Sequence, residues 1–235
     1  MEKWNMRISS ARRAINVLVA AAALCAAPIA LADAVTLIPT NFANGSEPFS
    51  LHNVPPAIFD PVSTGGFVGT LDGNPIVFFC FELTQSFGFN PSPPYTYDDS
   101  ILTGSKATSL SELFTEGFAT AVSTTNNSAG FQLAVWEILG ETTPGDVNSP
   151  DGNFYVTDNH GNQTAQDRGN TLLAGLSGSQ ALYTIHLLHS DNNQDFVYGV
   201  FTPHQEVPEP APLLLIGAAL VAMLFATRKV STRRA

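Results

Sequence analysis

Two residues in unusual settings carry the chemical content of this chain. Cys80 stands in Ile76-Val-Phe-Phe-Cys80-Phe-Glu-Leu83, and Gln132 in Phe131-Gln132-Leu-Ala-Val-Trp136. The other cysteine, Cys25, lies in an apolar N-terminal run that reads as part of a discarded leader, which makes Cys80 a lone thiol. A lone thiol cannot form an intrachain disulfide, and outside the cytoplasm it is open to oxidation. It must therefore be well buried, as a small hydrophobe, or chemically used.

The neighbours of each residue set its surroundings. Strand alternation puts Ile76, Phe78, Cys80 and Glu82 on one face and Val77, Phe79, Phe81 and Leu83 on the other. Both faces are mostly apolar, which predicts a central strand buried on both sides. On a helix, Gln132 and Trp136 are one turn apart on a face shared with Ala129 and Leu139. A carboxamide there costs a few kcal/mol unless it finds partners. It either bonds a backbone group or offers its side-chain carbonyl as the acyl half of a covalent bond.

The elements that must position these residues follow from pattern. Ala34–Pro39 reads as a first strand, Asn41–Pro61 as loop, and Gly66–Leu71 with Ile76–Leu83 as a hairpin turned at Asp72-Gly73. Asn90–Pro94 is another loop. Leu110, Leu113, Phe114, Phe118 and Ala121 recur at helical spacing within Lys106–Val122. A second helix covers Ala129–Leu139, capped by Ser128 and ended by Gly140, and a third covers Thr164–Leu176. Pro144–Gly152 is turn-rich. Ala181–Leu188 and Asp195–Phe201 read as a closing hairpin. Strands at both ends of the body and helices in its middle predict a single α+β domain with a β core.

Here the two motifs acquire a resemblance. Phe79-Cys80-Phe81 and Phe131-Gln132-Leu133-Ala134-Val135-Trp136 resemble the signature segments of bacterial thioester domains. The resemblance implies an internal thioester between the Cys80 sulfur and the Gln132 side-chain carbonyl, formed with loss of ammonia. It also implies a β core carrying the cysteine and helices before the glutamine. A pocket of Phe79, Phe81 and Trp136 would keep water from the bond until an amine on a surface or matrix target attacks it. The interval from Cys80 to Gln132 is shorter than in the host-binding adhesins of that family, and adhesin stalk and Gram-positive wall anchor are lacking.

The two ends read as targeting segments. Lys3, Arg7, Arg12 and Arg13 precede the apolar stretch Ala14–Leu31, and Ala30-Leu31-Ala32 offers a small-x-small cleavage site. Residues 1–32 are thus a signal peptide with an N-terminal helix, cut before Asp33 with Ala30 and Ala32 as the small residues of the site. At the other end Val207-Pro208-Glu209-Pro210 is held extended by its prolines. An uncharged run follows over 213–227, and residues 228–235 carry Arg228, Lys229, Arg233 and Arg234. The run is slightly short of the ~20 residues of a full span, and the flanking cations can snorkel and stay cytoplasmic.

This three-part tail, 207–235, resembles the PEP-CTERM sorting signal of Gram-negative bacteria. It implies a transmembrane helix, an inner-membrane precursor, recognition by an exosortase, and transfer to the cell surface or release. Such proteins usually belong to bacteria that make exopolysaccharide and biofilm.

The body, 33–206, holds all of the chain's 20 acidic residues except Glu2 and Glu209, against two bases, Lys106 and Arg168. That balance excludes a basic nucleic-acid footprint. His52, His160, His186, His189 and His204 lie in no recognisable catalytic motif with Cys80. Asp146-Val-Asn148 and Asp151-Gly152-Asn153 only evoke a calcium loop, with the glycine misplaced and the terminal Glu missing. No metal or cofactor is expected. The sequence therefore points to an exported, surface-sorted binder acting once through Cys80 and Gln132. The alternatives are a structural matrix protein without the bond and, behind it, an extracellular enzyme.

Overall fold

A computed structural model describes residues 33–176 and 180–203. The signal peptide, its Ala30 and Ala32 cleavage site, His204 and the whole sorting tail, including Val207, Pro208, Glu209 and Pro210, lie outside the described residues. Among the described residues no helix is long and apolar enough to cross a membrane.

The chain order is β1 (Asp33–Phe42), β2 (Glu47–Asn53), β3 (Val62–Thr64), β4 (Phe67–Leu71), β5 (Asn74–Cys80), β6 (Tyr95–Ile101), α1 (Ser105–Ala121), α2 (Thr125–Gly140), β7 (Phe154–Asp158), α3 (Gln163–Ala174), β8 (Tyr183–His189) and β9 (Phe196–Phe201). Six strands close a barrel in the order β1-β4-β5-β9-β8-β6. A small sheet, β3-β2-β7, stands beside it. Every pairing is antiparallel. The body is thus a mixed α/β unit with a closed barrel and three helices.

The β4–β5 hairpin turns at Asp72-Gly73, where both residues have positive φ (48° and 81°). That is the geometry an Asp-Gly turn supplies. Asp72 also accepts from the Thr36 N–H (2.7 Å) and hydroxyl (2.8 Å), tying the turn to β1. The predicted closing hairpin is present as β8 and β9, and the three predicted helices are present within a few residues of their expected ends.

Several expectations need correction. The segment read as loop over Asn41–Pro61 contains β2, which pairs with both β3 and β7. Pro48 and the polar residues around it hid a strand whose one fully buried side chain is Phe49. Strands β6 and β7 were not anticipated either. In Tyr95-Thr-Tyr-Asp-Asp-Ser-Ile101 only Tyr97 is buried, so the alternation is carried by one residue. Hence the strands do not sit only at the two ends of the body. Strand β5 is central, between β4 and β9, but only Phe78, Phe79 and Cys80 are buried, and it stops at Cys80 rather than Leu83.

Alternation along β5 separates two aromatic clusters. Phe78 packs edge-on to Phe196 (4.8 Å) and stacks with Phe67 (5.6 Å) inside the barrel. Phe79 points the other way, against Phe131 of α2 (4.5 Å) and Phe114 of α1 (5.9 Å). Helix α2 is buried on all sides from Ser128 to Ile138, as expected of a core helix rather than an amphipathic one. Its cap is Thr124, whose hydroxyl accepts from Asn127 N–H (3.2 Å). Ser128, expected in that role, does something else.

Gly69 shows how tightly the barrel is wound. It faces Pro39 across β1 next to a register shift, and a Cβ there would come within 2.3 Å of the Ile38 carbonyl oxygen. Backbone cannot yield as a side chain does. Gly69→Ala is expected to cost about 1–3 kcal/mol by chemical denaturation; an unchanged midpoint would show that β1 gives way freely.

Candidate functional site

The site begins where a strand runs out. The last paired position of β4 and β5 is Phe67 with Phe78. Continued by two residues, that register would set Gly65 opposite Cys80, but the chain joins β4 only at Phe67. On the other edge Cys80 pairs with Phe196 of β9, and the next bond runs from Phe81 N–H to Asp195 O (2.9 Å). Antiparallel alternation then turns the N–H and C=O of Cys80 towards the edge that β4 leaves open.

Gln132 fills that edge. Its Oε1 accepts from the Cys80 N–H at 2.8 Å, and its Nε2 donates to the Cys80 carbonyl at 3.0 Å. The carboxamide occupies the place of a backbone peptide, 52 residues away in the chain. One helical turn earlier, Ser128 Oγ accepts from Gly66 N–H (2.8 Å). The pair Ser128 and Gln132, four apart on α2, thus completes the frayed ends of both strands. Gln132 and Ser128 have no exposure, and Cys80 is 6% exposed. At such depth each unpaired backbone group would cost about 1–3 kcal/mol, which makes this joint a strong constraint on the position of α2.

Cys80 lies on the barrel-interior face of β5 with Phe78, and it lines a cavity of about 380 Å³ shared with Phe67, Phe87 and Gln194. Burial holds its thiol pKa well above the ordinary value, and the nearby Glu82 carboxylate adds to this. The thiol is therefore protonated at neutral pH. Glu82 itself follows the strand and accepts from the Gln85 N–H (3.1 Å), the Asp195 N–H (3.4 Å) and the Thr84 N–H and hydroxyl.

The three expected pocket residues do not share one place. Phe81 and Trp136 line a recess together with Lys106, whose ammonium donates to the Leu139 carbonyl near the end of α2. Phe79 lies in the Phe114–Phe118–Phe131 cluster instead. Two of the histidines have their own carboxylates: His186 Nδ1 with Asp99 (2.9 Å) and His189 Nδ1 with Asp195 (2.8 Å). The bond to Asp195 raises the His189 pKa. Among the described residues no group of three or more His, Cys, Asp or Glu is arranged to hold a metal ion.

Two participants escaped sequence reasoning. Ser128 looked like a cap, though its spacing of four from Gln132 was the available signal. Glu137 lies beside Trp136, is 3% exposed, and accepts from Gly145 N–H (2.8 Å) through Oε1, while Oε2 is buried without a hydrogen-bond partner. Burial raises its pKa to about 7, against the lowering effect of the Gly145 bond. Nothing in its sequence context marked it as buried.

No protein-family model matches this chain, and no curated protein matches it. Among solved structures, it is similar to the N-terminal domain of the Streptococcus pyogenes pilus tip adhesin Cpa. The match has 13% identity and a TM-score of 0.46, over 75% of this chain and 97% of that one.

The raised pKa of Glu137 has a direct consequence for stability. The folded state keeps its proton while the unfolded chain, with a carboxyl pKa near 4.5, has lost it. The folded state then binds more protons, so stability falls as pH rises from about 4.5 to about 7 and levels off above. Glu137→Gln keeps the bond to Gly145 and is expected to flatten that part of the profile, measured by denaturation midpoints across pH. An identical slope in the variant would assign the loss to other groups.

Proposed function

We propose that the body is an exported, single-use covalent binder, built to form an internal thioester between Cys80 and Gln132. The observation that supports this most is the pairing of the Gln132 carboxamide with both backbone groups of Cys80. Covalent connectivity puts Sγ only three bonds from the nitrogen that holds Oε1. The same N–H polarises the carbonyl and would stabilise charge on its oxygen during attack, as an oxyanion donor does.

The reaction balances without a cofactor. The Cys80 sulfur adds to the Gln132 carbonyl carbon, the C–N bond breaks, and the thiol proton leaves with the amide nitrogen as ammonia. In the second step an amine on the target adds to the same carbon. The C–S bond breaks, the amine proton passes to sulfur, and the target is left on Gln132 through an amide. One molecule of protein is used per bond, so the reading is that of a binder and not of an enzyme.

The export signals at residues 1–32 and 207–235 would place this chemistry outside the inner membrane after exosortase processing, at the cell surface or in the exopolysaccharide matrix. Lys106, the lone lysine of the body, is engaged by the Leu139 carbonyl, so the body offers few amines of its own.

One observation favours a second reading, a structural matrix protein. Both polar atoms of the Gln132 carboxamide are already satisfied, and that alone is a sufficient structural role. Intact mass of the exported protein, purified without amines, separates the two. The thioester reading expects a mass lower than the sequence by one ammonia, a gain of one methylamine on incubation with that amine, and one new thiol. Cys80→Ala and Gln132→Ala are expected to lack all three. The mass of the processed chain without loss of ammonia, with one thiol titratable only after unfolding, would leave the structural reading standing.

A further inference from the structure

A cavity lies beside Cys80. Its volume, about 380 Å³, is that of a small-molecule site. Phe67, Phe87 and Phe89 form its wall, and the rings fix one another: Phe87 meets Phe67 at 5.0 Å and Phe89 at 5.5 Å, both at 89°. Ile58 and Phe59, 48% and 61% exposed, stand at its lining beside solvent. Cys80, 6% exposed, is among its lining residues. No lining residue carries a charge; the polar ones are serines and glutamines.

We propose that this cavity receives the apolar stem of the attacking amine, and that its ligand class is a primary amine on a phenyl-sized group. The covalent step of this proposal rests on the thioester reading; the binding of the stem does not. The charge distribution supports the choice. A body with so few bases attracts cationic amines to its surface. Inside the cavity an ammonium would lose its hydration and find no carboxylate among the lining residues, while Glu82, near Cys80, already accepts from the Gln85 and Asp195 N–H groups; desolvation there favours the neutral, nucleophilic amine. Selectivity then falls to the stem, whose ring replaces water against phenylalanine faces. The bound amine adds to the Gln132 carbonyl carbon as the C–S bond breaks, and its proton passes to the Cys80 sulfur.

The test compares phenethylamine with ethylamine, both primary amines, at equal concentrations of free base, so that the ring and not the fraction of neutral amine sets the difference. With the exported wild-type protein, adduct formation by intact mass is expected to be at least about tenfold faster for phenethylamine, the ratio that burying a ring supports. Equal rates alongside the loss of ammonia would overturn the cavity and leave the thioester. Calorimetry on Cys80→Ala, in which no bond can form, reads the cavity alone. Phenethylamine is expected to bind, ethylamine not, and adding Phe59→Ala to weaken binding severalfold. Absence of phenethylamine binding overturns the proposal whatever the mass shows. Binding to Cys80→Ala with no ammonia loss in wild type would keep the cavity and overturn the thioester. Should Cys80→Ala not fold, wild type already treated with methylamine serves as the receptor.

Discussion

Two hydrogen bonds between the Gln132 carboxamide and the backbone of Cys80 hold the helical layer to the barrel at the point where β4 no longer covers β5. Strand and helix have different periods, and a strand edge seldom finds a partner on a helix. Here one side chain supplies a donor and an acceptor in the geometry of a peptide group. Ser128 repeats the device at Gly66. The hydrophobic contacts around this joint, chiefly Phe79 against Phe131 and Phe114, give most of the burial energy but little direction. The polar pair gives the register.

That register has a chemical side. Under the proposed function, a carboxamide bonded to the backbone of a cysteine, with its oxygen on that cysteine's own N–H, would serve as a restrained acyl donor to the thiol. The raised pKa of Cys80 keeps the sulfur protonated, so proximity rather than thiolate chemistry would have to drive bond formation. Burial also shields any such bond from water. Under the proposed function, the cavity that Cys80 lines would be the side from which a reactant approaches.

Much of the framework was legible because it depends on local pattern. The Asp72-Gly73 turn, the helical spacing of Leu110, Leu113 and Phe114, and the closing hairpin need only neighbouring residues. What was hidden depends on distant pairing. Barrel closure joins β1 to β6, and β6 hides its alternation behind Asp98 and Asp99; β2 hides behind Pro48. The site was legible in kind: a lone cysteine and a carboxamide on an apolar face both asked for explanation. Their meeting was not visible in residue pattern, since nothing local says that β4 starts at Phe67 and leaves an edge at Cys80. The expected grouping of Phe79 with Phe81 and Trp136 assumed that strand alternation runs on to Phe81, whereas β5 ends at Cys80, and Phe81 lines the Trp136 recess while Phe79 packs on Phe131.

The central claim is that Gln132 is docked on Cys80 as the acyl half of a bond and not only as a surrogate peptide. A crystal structure of the exported protein, prepared without amines, tests this most directly. Continuous electron density from Cys80 Sγ to Gln132 Cδ is expected, with Oε1 still on the Cys80 N–H and no Nε2 present. An intact carboxamide donating to the Cys80 carbonyl, beside a separate thiol, would contradict it.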